Sequence, residues 1–210
     1  RKAAPILEVV LTSRDKKKDN SVPLCGIPHH ARDTYAAKLL RAGHKVAICE
    51  QVEDPALAKG VVRREVTHVL TPATALEIEA ADTELNNFVI SIVKDERSIS
   101  LASIDLSVSD FEVRTFDAEN MDAFINEFFR KFPREVVIHE NFKDELDTVI
   151  KRFPEISNIL INQLEPYEYN YLECEDVVKK QLKINDIEGL GLKGYDSAVI
   201  AAGVLIKYLE

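Results

Sequence analysis

Side chains able to do chemistry gather at a few points along this sequence, and each gathering suggests a different reaction. Cys25, His29 and His30 are metal-ligating types close together in the chain. Adjacent histidines point apart, whereas helical zinc ligands sit one turn apart at i and i+4, so the pair reads as structural or surface residues. Asp105 and Asp110 stand at the end of one strand-like run and the start of the next. A two-metal hydrolytic centre could begin there, but it also needs an acid on the first strand of the sheet. That strand, Phe88-Val89-Ile90-Ser91-Ile92-Val93, carries none, so the aspartates read as turn formers and a nuclease is rejected. Gly189-Leu190-Gly191-Leu192-Lys193-Gly194 is glycine-rich but lacks the GxxxxGK[ST] order of a phosphate cradle and the strand that should precede it. It reads as a flexible joint between modules. No GxSxG nucleophile turn occurs. His44, His68 and His139 carry no partner motif.

The basic run is different. Arg14, Lys16, Lys17 and Lys18 lie beside the proline-bracketed segment Val22 to Pro28 and the start of a helix. Cationic side chains and helix N–H groups together are the chemistry of phosphate contact. A short charge run is also the ordinary composition of a solvated loop, and the residues alone leave both readings open.

These groups need elements to hold them. Lys2 to Glu8 reads as the end of a helix and Val9-Val10-Leu11-Thr12 as a short strand, followed by the polar loop from Ser13 to Ser21. Residues 30–42 form an amphipathic helix, with Ala31, Tyr35 and Leu39 at i, i+4 and i+8, Ala36 and Leu40 beside them, and Gly43 as a left-handed cap. Val46 to Cys49 is a buried strand, Pro55 to Lys59 a helical turn, and Val61 to Leu70 a long alternating strand. Beyond a small, acidic linker, Phe88 to Val93, Ser98 to Leu106 and Asp110 to Phe116 predict antiparallel hairpins. Then the period changes. Met121, Phe124, Ile125, Phe128 and Phe129 mark a helix, Val136 to Ile138 a strand, Phe142 to Phe153 a helix, Ile159 to Ile161 a strand and Tyr171 to Leu182 a helix. That order predicts a ribonuclease H-like sheet. Ser197 to Leu209 is a strongly apolar last helix, and its abrupt end, with the Arg1 start, suggests a piece of a longer protein.

Composition supports two α/β modules. The 210 residues carry a net charge of −9 and are 46% hydrophobic and 30% charged, the profile of an ordinary globular protein. The first 70 residues hold 13 Lys and Arg against 8 Asp and Glu, whereas the remaining 140 hold 14 against 28. Only the first third is suited to approach a polyanion. Cys25, Cys49 and Cys174 form no CxxC pair, which predicts a reduced, intracellular protein without a disulfide framework. No apolar run reaches the ~18 residues of a membrane span, and no secretory signal opens the chain.

Several ordered stretches resemble one family. Val22-Pro23-Leu24-Cys25-Gly26-Ile27-Pro28-His29-His30-Ala31 is followed by Lys45 to Pro55 (KVAICEQVEDP), Ala58 to Val66 (AKGVVRREV) and Leu70 to Thr74 (LTPAT). Together they are similar to the MutS family of DNA mismatch-recognition proteins. Ala73 stands where that family usually has Gly, which implies a less tight turn. The similarity continues through Ser103 to Ser107, Pro133 to Glu135 and Ala201 to Leu209, and so spans the chain.

The resemblance implies a layout and a function. Residues 1–75 would be a mismatch-binding domain truncated at its start, 76–83 a linker, 84–194 a non-catalytic ribonuclease H-like connector, and 195–210 the first helix into a lever domain. Family members are dimers that slide on double-stranded DNA, bend it at a mismatch and signal to MutL through a C-terminal ATPase. They read the mismatch with a Phe-x-Glu motif whose place is before the helix that opens this chain, the Phe wedging in from the minor groove. The fragment is thus expected to be a monomer without catalytic activity, metal or cofactor of its own. ATP and magnesium belong to the full-length parent, which is cytoplasmic and nucleoid-associated. Arg14, Pro23 and Leu24 fall where the family brings loop and turn against DNA, with Lys16, Lys17 and Lys18 beside them. Lys180 and Gln181 fall on the surface implied for MutL. The rival expectation is a protein-interaction module that docks MutL through the connector and binds no DNA.

Overall fold

The computed structural model describes residues 1–13, 22–56, 58, 60–75, 87–156 and 158–210. They fall into two compact units, Arg1–Thr83 and Glu84–Glu210.

In the first unit, helix α1 (Ala3–Leu7) is closed by Glu8 at φ 57°, with Val9 N–H donating to the Ala4 carbonyl at 3.1 Å. The sequence predicts a strand over Val9 to Thr12, but strand β1 is only Thr12–Ser13 and Val10 is largely exposed. A strand needs a partner, and strand β2 (Pro23–Leu24) comes alongside only at Thr12. Helix α2 (Arg32–Arg41) follows a 3-10 turn at His29–Ala31 and ends at Gly43, which takes φ 75° as the cap position requires. Its buried face is Ala36, Ala37 and Leu40, the Ala36 and Leu40 side of the expected apolar face, where α1 packs through Ala4 and Leu7. Lys38 ties α2 back to Glu8 at 2.8 Å.

Strands β3 (Val46–Gln51) and β4 (Arg64–Leu70) pair antiparallel with an irregularity between Ile48 and Cys49. The expectation of a buried strand at Val46 to Cys49 is corrected: β3 alternates half-buried and exposed, with Ala47 and Cys49 outward. A two-stranded sheet covered on one face can bury only every second residue. Of the expected turn from Pro55 to Lys59, Leu57 and Lys59 lie outside the described residues. Thr71 and Thr74 bond each other's N–H groups at 3.1 Å, and Ala73 in this turn is fully buried. Ala73 has no positive φ, so a β-carbon is tolerated there.

The second unit is built on a sheet of order β7-β6-β5-β8-β9. β5 (Phe88–Lys94), β6 (Ser98–Asp105) and β7 (Asp110–Asp117) are antiparallel neighbours, and β8 (Glu135–Ile138) and β9 (Leu160–Gln163) add parallel to β5. This is the ribonuclease H-like arrangement that the element order predicts. Central β5 is buried on both faces, which explains its run of residues that is apolar from Phe88 to Val93 apart from Ser91.

Helices α3 (Met121–Lys131) and α4 (Lys143–Arg152) cover one face. Asn120 caps α3 by accepting from the Ala123 N–H at 3.2 Å. Phe124, fully buried, meets Phe116 and Phe142 edge-on at 6.1 and 5.5 Å, the geometry ring quadrupoles favour. Helices α5 (Tyr171–Leu182) and α6 (Asp196–Leu209) cover the other face. The sequence reading hands 195–210 to a following domain. In the structure α6 packs on β5 and β6, and its residues from Ser197 to Ile206, all but Ile200, are buried in this unit. Small residues on both surfaces, among them Ala198, Ala201 and Ala202 on α6 and Ser91, Ser100 and Ala102 on the sheet, permit that close approach.

An ion cluster joins β7 to α3. Lys131 is almost wholly buried, donates to Glu112 at 2.6 Å and lies 4.6 Å over the Phe88 ring. The Lys131 hydrogen bond holds the Glu112 carboxyl below its ordinary value of 4.5. A depressed carboxylate contributes stability that is present above its unfolded value and is lost as pH falls through the folded one. The melting midpoint of this unit is therefore expected to fall as pH drops below 4.5. Glu112→Gln should be less stable at pH 7 yet show a shallower fall, in thermal melts between about pH 7 and pH 3. An unchanged slope would place the acid sensitivity elsewhere.

Candidate nucleic-acid interface

Thr12–Ser13 and Pro23–Leu24 form a small antiparallel ladder. Thr12 lies opposite Leu24 and Ser13 opposite Pro23. Arg14, Lys16, Lys17 and Lys18 lie outside the described residues, and Ser13 and Val22, which flank their segment, adjoin this ladder. Pro23 and Leu24 are both exposed. A proline is tolerated at such an edge because no ladder N–H is needed there, and it stiffens the strand that carries Leu24. Pro28, extended at φ −64° and ψ 139°, then starts the turn into α2.

Nearby cations are engaged within the unit. Arg32 bonds Asp33 at 2.8 Å and Glu50 at 3.2 Å, Lys38 bonds Glu8, and Arg63 bonds Glu65. Asp33, and Glu50 more weakly, push the Arg32 guanidinium further up. Surface pairs of this kind are worth little to stability, but they offset the positive charge that a phosphate would meet. The densest basic run that the sequence offers in this unit is Arg14 with Lys16, Lys17 and Lys18. Sequence reasoning missed Thr12 and Ser13. Their hydroxyls stand on the same ladder as Pro23 and Leu24, and Ser and Thr are ordinary phosphate-contact types. The cross-strand register that reveals them has no sequence motif.

The other candidates resolve differently. His29 and His30 are exposed in the turn before α2, and Cys25, Cys49 and Cys174 are free. Among the described residues no three His, Cys, Asp or Glu side chains are gathered where they could hold a metal ion. Asp105 faces Asp110 across the β6–β7 register and accepts from the N–H of Ser107 at 2.9 Å, the work of a turn former. The glycine-rich stretch joins α5 to α6 inside the second unit, so the expectation of a joint between modules is corrected. Gly191 and Gly194 take φ 71° and 81°, and the stretch walls a cleft of about 780 Å³ with Asp95, Arg97 and the β7 residues Val113, Thr115, Phe116 and Asp117. Asp186 already accepts from the N–H groups of Glu188 and Gly189 at 2.9 and 3.4 Å. Those donors are satisfied by an acid, and with no GxxxxGK[ST] in the sequence the residues present do not fit a nucleotide.

In the second unit Lys180 and Gln181 are exposed on the last turn of α5, followed by exposed Leu182 and by Lys183 at φ 56°. They belong to a different unit from the β1–β2 ladder.

Comparison with known proteins gives this arrangement its relatives. The family model described as MutS domain I matches residues 1–79, and that described as MutS domain II matches 87–210. The chain belongs to the MutS family. Similar proteins include one from Lachnoclostridium phytofermentans, 36% identical over 210 residues, covering 99% of this chain and 22% of the relative. Another, from Ruminiclostridium cellulolyticum, is 38% identical over 208 residues, covering 97% and 23%. A third, from Desulfosudis oleivorans, is 36% identical over 211 residues, covering 99% and 23%. Each bears the name DNA mismatch repair protein MutS. The chain thus spans less than a quarter of the length of these MutS relatives. No helix among the described residues is long and apolar enough to cross a membrane.

Proposed function

We propose that this chain supplies backbone contacts to double-stranded DNA, and the connector, for a MutS mismatch sensor in which catalysis lies elsewhere. The observation that carries this reading is the β1–β2 ladder, which sets exposed Pro23 and Leu24 beside the ends of the segment bearing Arg14, Lys16, Lys17 and Lys18. Those cations would neutralise phosphates, the Thr12 and Ser13 hydroxyls would donate to them, and Leu24 would lie against the sugar edge of the minor groove. Such contacts set register and orientation and carry no sequence information. The Phe-x-Glu reader, ATP with magnesium, and dimer formation are assigned to the full-length protein.

Docking of MutL is the second role, placed on the last turn of α5, where Lys180, Gln181 and Leu182 all lie in solvent. It coexists with DNA contact, because the two surfaces belong to separate units. Fluorescence anisotropy of the chain with a labelled duplex tests the first role. Binding that weakens as salt rises supports it, since neutralised phosphates release counterions. No binding at low salt would overturn it and leave protein docking as the function.

A further inference from the structure

Glu135 opens β8, between β5 and β9, and its side chain is wholly buried. One carboxylate oxygen, Oε1, accepts from Asn162 Nδ2 on β9 at 2.8 Å and from the Tyr208 hydroxyl on the last turn of α6. The other, Oε2, has no hydrogen-bond partner among the described residues. Burying a carboxylate with one oxygen unbonded is costly, and an apolar residue would pack the same space without that cost. What the carboxylate adds is direction, because a hydrogen bond fixes an angle that apolar packing leaves free.

The position of Tyr208 gives that direction a use. Apolar burial along α6 ends at Ile206. The next two residues are held by polar bonds on different sides of the helix. Lys207 donates to the Glu168 carbonyl at 2.9 Å and pairs with the Glu168 carboxylate at 3.1 Å. Tyr208 reaches β8. Burial, then the neighbouring carboxylate, push the Tyr208 phenol well up, so it keeps its proton and remains the donor.

We propose that Glu135, Asn162 and Tyr208 form a buried polar latch that fastens the last turn of α6 to the sheet and fixes the direction in which the helix leaves this unit. A helix continued past Leu209 in a longer chain moves with the sheet as one body. The latch is independent of any DNA contact by the first unit.

Site-resolved hydrogen exchange on the 210-residue chain carrying Tyr208→Phe tests it, since that change keeps the ring and removes only the hydroxyl. The amides of the last turn of α6 are expected to exchange about tenfold faster or more, the loss of a hydrogen bond to a charged group, while those of β5 and β6 keep their rates. Unchanged rates at the end of α6 would overturn the latch, as the ring alone would then hold the turn. A rise spread evenly over helix and sheet would overturn it too, since Tyr208 would then serve only general stability.

Discussion

Replacing Arg14, Lys16, Lys17 and Lys18 together with Ser is expected to remove most of the affinity for duplex DNA while leaving the melting midpoint nearly unchanged. Four neutralised phosphates give a salt exponent of about 3.6, so wild-type affinity should fall about a hundredfold between 50 and 200 mM salt. The variant should lose both the affinity and most of that slope. Stability should be spared, because the sequence there has the composition of a solvated loop and charges in such a loop contribute little. Arg32, Lys38 and Arg63 are poor substitutes, since they already meet Asp33, Glu8 and Glu65. Equal binding by variant and wild type in an anisotropy titration would place the interface elsewhere. A large drop in midpoint would instead make the segment part of the framework of the first unit.

Gly203→Ala is expected to be the most damaging small substitution in the second unit. A β-carbon at position 203 would lie 2.4 Å from the Cys174 Cβ, 2.5 Å from its Cα and 2.7 Å from its carbonyl oxygen. Two of those atoms are backbone and the third is fixed to it, so no rotamer change relieves the clash. Helices α5 and α6 must move apart, and the buried contacts of Val204 and Cys174 with Val137 of the sheet open with them. Alanine would add about 1 kcal/mol of helix propensity. Overpacking of a close crossing costs more, and a net loss of about 2 kcal/mol would lower the midpoint by roughly 8 °C. Gly189→Ala is the control. Nothing lies within 4 Å of a β-carbon there, and its φ is not positive, so thermal denaturation should barely register it. Equal midpoints for the two variants would show that the α5–α6 crossing is loose.

Much of the second unit is legible from residue order alone. A run apolar apart from Ser91, Phe88 to Val93, reads as a strand covered on both faces, and the phenylalanines at 124 and 128 announce the helix that covers one of them. What could not be read depends on partners distant in sequence. Val9 to Leu11 has strand composition but no neighbour to pair with. Val46 to Cys49 reads as buried because its residues are apolar, yet burial depends on how many layers cover the sheet. The last helix looks like the start of something new until its alanines are seen against Ser91, Ser100 and Ala102. The latch joins residues 135 and 208, and the tight crossing joins 174 and 203, through space and without a motif. The interface divides in the same way. The charge of Arg14 to Lys18 and the prolines around Leu24 are local facts, whereas the register that sets Ser13 against Pro23 is not.

The central claim is that residues 1–75 contact DNA by its backbone and do not themselves read the mismatch. The most direct test is anisotropy of the 210-residue chain with a matched duplex and with one carrying a single G·T pair, each at low and at moderate salt. The prediction is weak binding with the same affinity and the same salt dependence for both duplexes. A clear preference for the G·T duplex would contradict it, because residues on the β1–β2 ladder or beyond would then be reading the mismatch themselves.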